Sequence, residues 1–196
     1  MVKKVCYVIT TYAMKIPKSF IIETTNFILR IPSEADFMPI FEATRHQGFN
    51  DGMAWEPPSS IAELAAPLQN NIKAWESGKA YAFTIEERTT KTFLGRISIR
   101  KTTENDVWNI GFFTHPNHQG KGIMTKVVKT ILHFGFIQLK AIRIEAEYAL
   151  WNKASERVLH KNGFKFVKRI EQGLFKNGQW IAENRVIINF QLPSIL

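Results

Sequence analysis

The chain has 196 residues, 45% of them hydrophobic and 22% charged, and a formal net charge of +9. That length suits one domain with a sizeable core, and the composition is that of a globular chain. No apolar run approaches the ~18–20 residues of a membrane span, and a single cysteine, Cys6, excludes an internal disulfide and a cysteine-based metal site.

The first ten residues, Met1 to Thr10, begin like a signal peptide. Their apolar part is too short and too polar for one, and no small-x-small cleavage site follows. A reducing cytoplasm is therefore the expected compartment. The positive charge has three readings: a nucleic-acid partner, dispersed lysines, or a ligand that carries several phosphates. Lys3, Lys4, Lys15, Lys18, Lys121, Lys126, Lys129, Lys161, Lys165 and Lys168 are scattered, without helix-turn-helix or zinc-finger spacing. A nucleic-acid partner is not expected.

In chain order, residues 1–25 read as an N-terminal extension with two apolar patches, Val5–Ile9 and Phe20–Ile22, and one strand. Phe27–Ile31 is a strand. Ser33 caps a helix with Asp36 in its first turn and Ala35, Phe37, Met38, Ile40 and Phe41 on its buried face. A loop rich in turn formers and aromatics follows, from Gly48 to Pro58. Its Trp55 either lines a binding site or plugs the core edge. Ser59 or Ser60 caps the next helix, to about Ser77, with Ile61, Leu64, Leu68, Ile72 and Trp75 inward. Pro67 predicts a kink or break in it. Three meandering strands come next, Tyr81–Ile85, Phe93–Arg100 and Trp108–Phe113.

The stretch His115-Pro116-Asn117-His118-Gln119-Gly120-Lys121-Gly122 then joins a strand to an amphipathic helix. The helix buries Ile123, Met124, Val127, Val128, Ile131, Leu132 and Phe134 by their spacing. Its free N–H groups form an anion site, the two glycines let backbone approach a ligand, and Lys121 adds charge. The turn is thus a candidate pyrophosphate cradle, or a strand-to-helix turn that happens to use two glycines. A Walker loop is absent, and Thr125 stands where a dinucleotide fingerprint has its third glycine. Ile142–Tyr148 alternates as a strand. Asn152 caps a helix that buries Ala154, Val158 and Leu159 and stops at Asn162-Gly163. Phe164–Val167 and Arg185–Phe190 close a hairpin around Lys176-Asn177-Gly178.

Two motifs carry a family resemblance. Asn117-His118-Gln119-Gly120-Lys121-Gly122 resembles the acetyl-CoA loop of the GNAT superfamily of N-acetyltransferases, Gln/Arg-x-x-Gly-x-Gly/Ala, with Asn at the first position. Asn152, Ala154, Ser155, Val158, Lys161, Gly163 and Phe164 match the signature of the family's next strand–helix–strand. Gln119 to Thr125 and the Leu29-Arg30…Asp36 entry resemble the RimJ/RimL branch, which acetylates N-terminal amines of ribosomal proteins. The resemblance covers about residues 26–191. It implies an α+β fold with a mixed, mostly antiparallel sheet flanked by helices.

It also implies acetyl-CoA as cofactor and a primary amine as acceptor, a protein N-terminus in this branch. The runners-up are a small-molecule amine, such as an antibiotic or polyamine, and a non-catalytic acyl-CoA-binding module. Either a monomer or a homodimer is compatible, and no metal is implied. By resemblance, Phe112, Phe113 and Thr114 flank the pantetheine arm, and Gln119, Gly120, Lys121, Gly122, Ile123 and Met124 wrap the pyrophosphate. Asn152 meets the pantetheine amides and Ser155 faces the sulfur as general acid, although Ser155 also reads as an ordinary first-turn residue. Lys161 and Arg157 either reach the nucleotide phosphates or are solvated helix charges. Many relatives carry Glu where this chain has Asn109, which cannot accept a proton at neutral pH but can orient an acceptor or a water. Glu183, Glu56 and His115 are the candidate bases, Glu183 first. Because an α-amine has a pKa of ~8, positioning alone supplies much of the rate.

Overall fold

A computed structural model of the chain describes residues 15–190. The patch Val5–Ile9 lies outside them. The described elements are β1 (Ile22–Glu23), β2 (Phe27–Arg30), α1 (Phe37–Ala43), α2 (Ala65–Glu76), β3 (Ala80–Glu87), β4 (Phe93–Lys101) and β5 (Val107–Thr114). They continue with α3 (Ile123–Ile137), β6 (Arg143–Ala149), α4 (Lys153–Lys161), β7 (Lys165–Lys176) and β8 (Gln179–Asn189). The strands form one sheet in the order β1-β2-β3-β4-β5-β6-β8-β7. Every pairing is antiparallel except β5 with β6. This is the mixed α+β architecture expected.

Strand alternation divides the sheet into two unlike faces. On one, Tyr81, Phe83, Ile97, Ile99, Ile110 and Ile144 are buried under α3, whose Val127, Val128, Ile131 and Phe134 supply the other half of the core. Gly135 lets α3 sit close: a Cβ there would lie 2.7 Å from Ile144 Cδ1 and 2.9 Å from Ile99 Cδ1. Trp75 of α2 joins this core, and its indole N–H donates to the Ile16 carbonyl at 2.9 Å. The opposite face carries Arg96, Ser98 and Arg100 on β4, Asn109 on β5, Glu145 and Glu147 on β6, and Glu183 and Arg185 on β8. A smaller cluster of Ile40, Leu64 and Phe93, with Phe37, Phe41 and Phe113 against it, seats α1.

Three local expectations change. The helix opened by Ser33 begins as a 3-10 turn, Glu34–Asp36, before α1. The tighter turn shifts the phase, so Ala35 and Met38 face solvent while Asp36 is buried. Asp36 tolerates burial because Arg30 donates to it at 2.7 and 3.2 Å and Thr84 Oγ1 at 2.6 Å. The expected helix over 59–77 splits into a 3-10 turn, Ile61–Leu64, and α2. Pro67 thereby falls in the first turn of α2, where its missing N–H has no intrahelical partner to lose.

The terminal hairpin is much longer than expected, running to Lys176 and back from Gln179. Its turn is Asn177 (φ 51) and Gly178 (φ 77), the two-residue hairpin geometry. Lys168, Arg169, Glu171 and Gln172 break the apolar alternation there. They are tolerated because β7 is an edge strand, and pairing to β8 shifts register at Phe166/Lys168 and Ile170/Leu174. The one strand expected within residues 1–25 is the two-residue β1, which pairs with β2 at the sheet edge.

Candidate active site

β5 ends at Thr114, and Pro116–His118 makes one 3-10 turn before Gly120 (φ +74) and Gly122 (φ +71) lead into α3. None of the N–H groups of residues 120–125 finds an acceptor among the described residues. A Cβ built on Gly120 or Gly122 meets nothing within 4 Å, so the turn opens onto free space. The Gln119 side chain donates back to the Thr114 carbonyl at 3.3 Å, and Lys121 Nζ to the Asn117 carbonyl at 3.3 Å. Free amides at the start of a fifteen-residue helix, with a lysine beside them, fit a phosphate group.

Beside the turn, β5 and β6 pair only at Val107–Arg143, Trp108–Ile144 and Asn109–Glu145. Beyond that they separate, although β5 stays paired to β4 and β6 to β8. The gap between 110–114 and 146–149 opens into a cleft of about 1610 Å³. Phe112, Phe113 and Thr114 border it from β5, and Asn152, Ser155, Arg157 and Lys161 from α4. Asn152 caps α4, its Oδ1 accepting the Ser155 N–H at 3.0 Å. Ser155 Oγ has no partner among the described residues. Gly120, Lys121, Gly122, Ile123 and Met124 line the same cleft. The expected cofactor-binding positions are thus brought together along one groove.

The polar sheet face forms the cleft's other half. Asn109 Nδ2 donates to Glu147 Oε2 at 2.6 Å, and Arg185 Nε to Glu147 Oε1 at 2.8 Å. Glu183 is half-buried with no hydrogen-bond or ion-pair partner among the described residues. Burial, and then the neighbouring Glu147 charge, push its carboxyl above the ordinary range against the opposing pull of Arg185. Gly173 makes room for it, since a Cβ there would lie 2.6 Å from Glu183 Oε2.

Of the other candidate bases, Glu56 is exposed and paired to Lys176 Nζ at 3.1 Å. His115 is buried behind the glycine turn and does not line the cleft; its Nδ1 accepts from the Asn117 N–H at 3.3 Å. Burial first, then the nearby His118 and His46, push its imidazole below the ordinary value, with Glu42 opposing. Sequence reasoning did not single out Glu147. The alternation over 142–148 set it on the face opposite Ile144, Ala146 and Tyr148. Only the parallel register of β6 against β5 brings it to Asn109.

The loop from Gly48 to Pro58 crosses above this floor. Phe49 and Trp55 pack on Phe113 with ring centroids 5.3 and 6.2 Å apart. Gly52 lies against the Trp151 ring, and the Trp55 carbonyl accepts from Lys176 Nζ at 3.0 Å. The loop therefore ties β5, the start of α4 and β7 together. Trp55 borders the cleft and packs on the rings beneath while staying exposed.

Residues 26–165 match the family model described as the acetyltransferase (GNAT) domain, and the chain belongs to that family. It is 28% identical over 165 residues to the uncharacterized N-acetyltransferase YoaA of Bacillus subtilis (strain 168), covering 81% of this chain and 90% of that one. In fold it is similar to RimL, a ribosomal L7/L12 alpha-N-protein acetyltransferase solved in complex with coenzyme A. The TM-score is 0.79 at 21% identity, over 87% of this chain and 98% of that one. The ribosomal-protein-S5-alanine acetyltransferase of Vibrio fischeri has a TM-score of 0.73 at 22% identity, over 87% and 96%. The protein is an N-acetyltransferase with acetyl-CoA as cosubstrate.

Proposed function

We propose that the protein, through a domain spanning about residues 26–191, acetylates the α-amine of a protein N-terminus, as the RimJ/RimL branch does. The carrying observation is the charge pairing of the acceptor half of the cleft. Glu147 is paired with Arg185 and Glu56 with Lys176, Glu104 and Glu145 share Arg143, and Glu63 accepts from Ser59, which leaves Glu183 as the cleft-lining carboxylate without a partner among the described residues. A polyamine or aminoglycoside would require several free carboxylates, whereas a single α-amine requires one. The fold-level likeness to ribosomal-protein acetyltransferases points the same way.

In this reading acetyl-CoA, when bound, supplies a thioester carbonyl open to attack by a neutral amine. The N–H groups of Gly120 to Met124 hold its pyrophosphate, with Lys121 and Lys161 adding charge. The gap-side edge of β5 at Phe112, Phe113 and Thr114 flanks its arm, and Asn152, whose Oδ1 is spent on the cap, offers Nδ2. The free Ser155 hydroxyl donates the proton that the departing sulfur takes. Glu183 accepts the proton of the acceptor ammonium, a task its raised pKa suits. Asn109 and Arg185 hold Glu147 in place, and that fixed charge adds to burial in raising the Glu183 pKa.

The test is thiol release from acetyl-CoA with N-terminal peptides set against small amines. Turnover of peptides well above that of polyamines is expected; the reverse order overturns the proposal. Calorimetry on Gly122→Trp checks the cradle. The indole fills the open space at φ +71, and acetyl-CoA binding is expected to weaken by at least about tenfold.

A further inference from the structure

The acceptor half of the cleft holds two cations that the acyl transfer leaves idle. Arg96 and Arg100 stand with Ser98 on one face of β4, opposite Phe113 and Asn109 of β5. Both line the cleft, and neither makes a hydrogen bond or ion pair with a described residue. The other cations of this floor are matched, Arg185 by Glu147 and Arg143 by Glu104 and Glu145. Only Asp36 reaches Arg96 through its charge, and its oxygens are taken by Arg30, Thr84 and the Ser33 N–H. Residues 1–14 and 191–196 contain no Asp or Glu that could supply a side-chain counter-charge.

Arg96 is also set in poor surroundings for a lone charge. It borders a small hollow formed with Pro32, Phe37, Ile40 and Leu64, whose one carboxylate, Asp36, is already committed to Arg30, Thr84 and the Ser33 N–H. A guanidinium held there with no hydrogen-bonded anion of its own costs free energy. A carboxylate arriving with a ligand removes that cost and takes two parallel N–H bonds.

The placement sets what that ligand looks like. Arg100 is registered opposite Asn109 and Arg96 opposite Phe113, whereas Glu183 stands on β8 opposite Ala149, so both cations lie three strands, ~14 Å, across the sheet from the proton-accepting carboxylate. Arg96 is four residues further along β4, ~13 Å. An extended chain that starts at Glu183 and crosses this face toward β4 covers that distance in about four residues, at ~3.3 Å each, and arrives between the two guanidiniums.

We propose that Arg96 and Arg100 select acceptors bearing carboxylates within the first few residues after the amine, that is, acidic N-termini. This rests on the N-terminal acceptor proposed above, and the two readings fail separately. Two peptides identical except for Glu or Gln at positions two to four are compared as acceptors. Wild type favours the glutamyl peptide by about tenfold in kcat/KM, carried mainly by KM, the effect of one charge-assisted contact. Arg96→Met and Arg100→Gln each collapse that ratio, and Arg96→Lys, which keeps the charge without the fork and guards against misfolding of the Met variant, retains part of it.

Equal use of both peptides by wild type, or a ratio that survives every substitution, overturns the anion site. Acetylation of small amines but of neither peptide overturns the N-terminal reading instead, and alanine against alaninamide then decides the anion site. Preference for alanine that Arg96→Met abolishes upholds it; equal use overturns it.

Discussion

At the scale of single residues, Glu183 carries opposed demands. Its carboxyl is half shut away from water and faces the Glu147 charge, so its folded pKa lies above its unfolded one. The folded state then binds the proton more tightly, and stability falls as pH rises from the ordinary carboxylate value through the raised one. Catalysis has the other sign, since the proton-accepting form exists only above the raised value. Glu183→Gln is therefore expected to raise the melting temperature by a few degrees at neutral pH while lowering kcat by about a hundredfold or more and erasing the acid-side limb of the pH–rate profile. A variant that keeps the acid limb moves the base elsewhere. Glu147→Gln tests the coupling: removing its charge lowers the Glu183 pKa, so the acid limb moves to lower pH. Asn109→Glu, which restores the residue type many relatives carry, sets a second carboxylate against Glu147, where Asn109 Nδ2 now sits 2.6 Å away. Like-charge contact there lowers stability.

At the scale of elements, the positions that sequence reads well are those where local chemistry and packing agree. Asn152 is a helix cap by type and by geometry. Gly163 ends α4 at φ +86, and the two glycines before α3 take the left-handed backbone their turn requires. What the sequence hides is set by partners far away in the chain. The charged run of β7 is strand only because β8 pairs with it. The face of β6 that carries Glu147 acquires meaning only from the register against β5. The 3-10 start of the first helical segment follows Asp36, whose partners are Arg30 and Thr84. Helix α3 offers the clearest mutational test of element packing. Gly135→Leu drives a side chain into Ile99 and Ile144, which have no free volume to cede. Overpacking of this kind costs about 1–3 kcal/mol or more, read as a lowered midpoint in urea. An unchanged midpoint would mean that α3 slides freely on the sheet.

For the whole molecule, the net charge of +9 acquires a reason when set beside a cosubstrate bearing several phosphates. Lys121, Arg157 and Lys161 are exposed along the cleft rim, where salt screens them. Affinity for acetyl-CoA is expected to fall severalfold between about 0.05 and 0.5 M NaCl, measured by calorimetry. An affinity indifferent to salt would assign the charge another purpose. The parting of β5 from β6 has a consequence of its own. Two unpaired edges sit in the middle of an eight-stranded sheet, a lesion that elsewhere invites aggregation. Here it leaves the half ending at β5 and the half beginning at β6 joined by three residue pairs and by α3, which packs on both. Anything amide-bearing that lodges in the gap acts as a missing rung, and the two halves then melt as one. Hydrogen exchange would display this directly: the amides of 110–114 and 146–149 that face the gap exchange freely in the empty protein and become protected when it is filled.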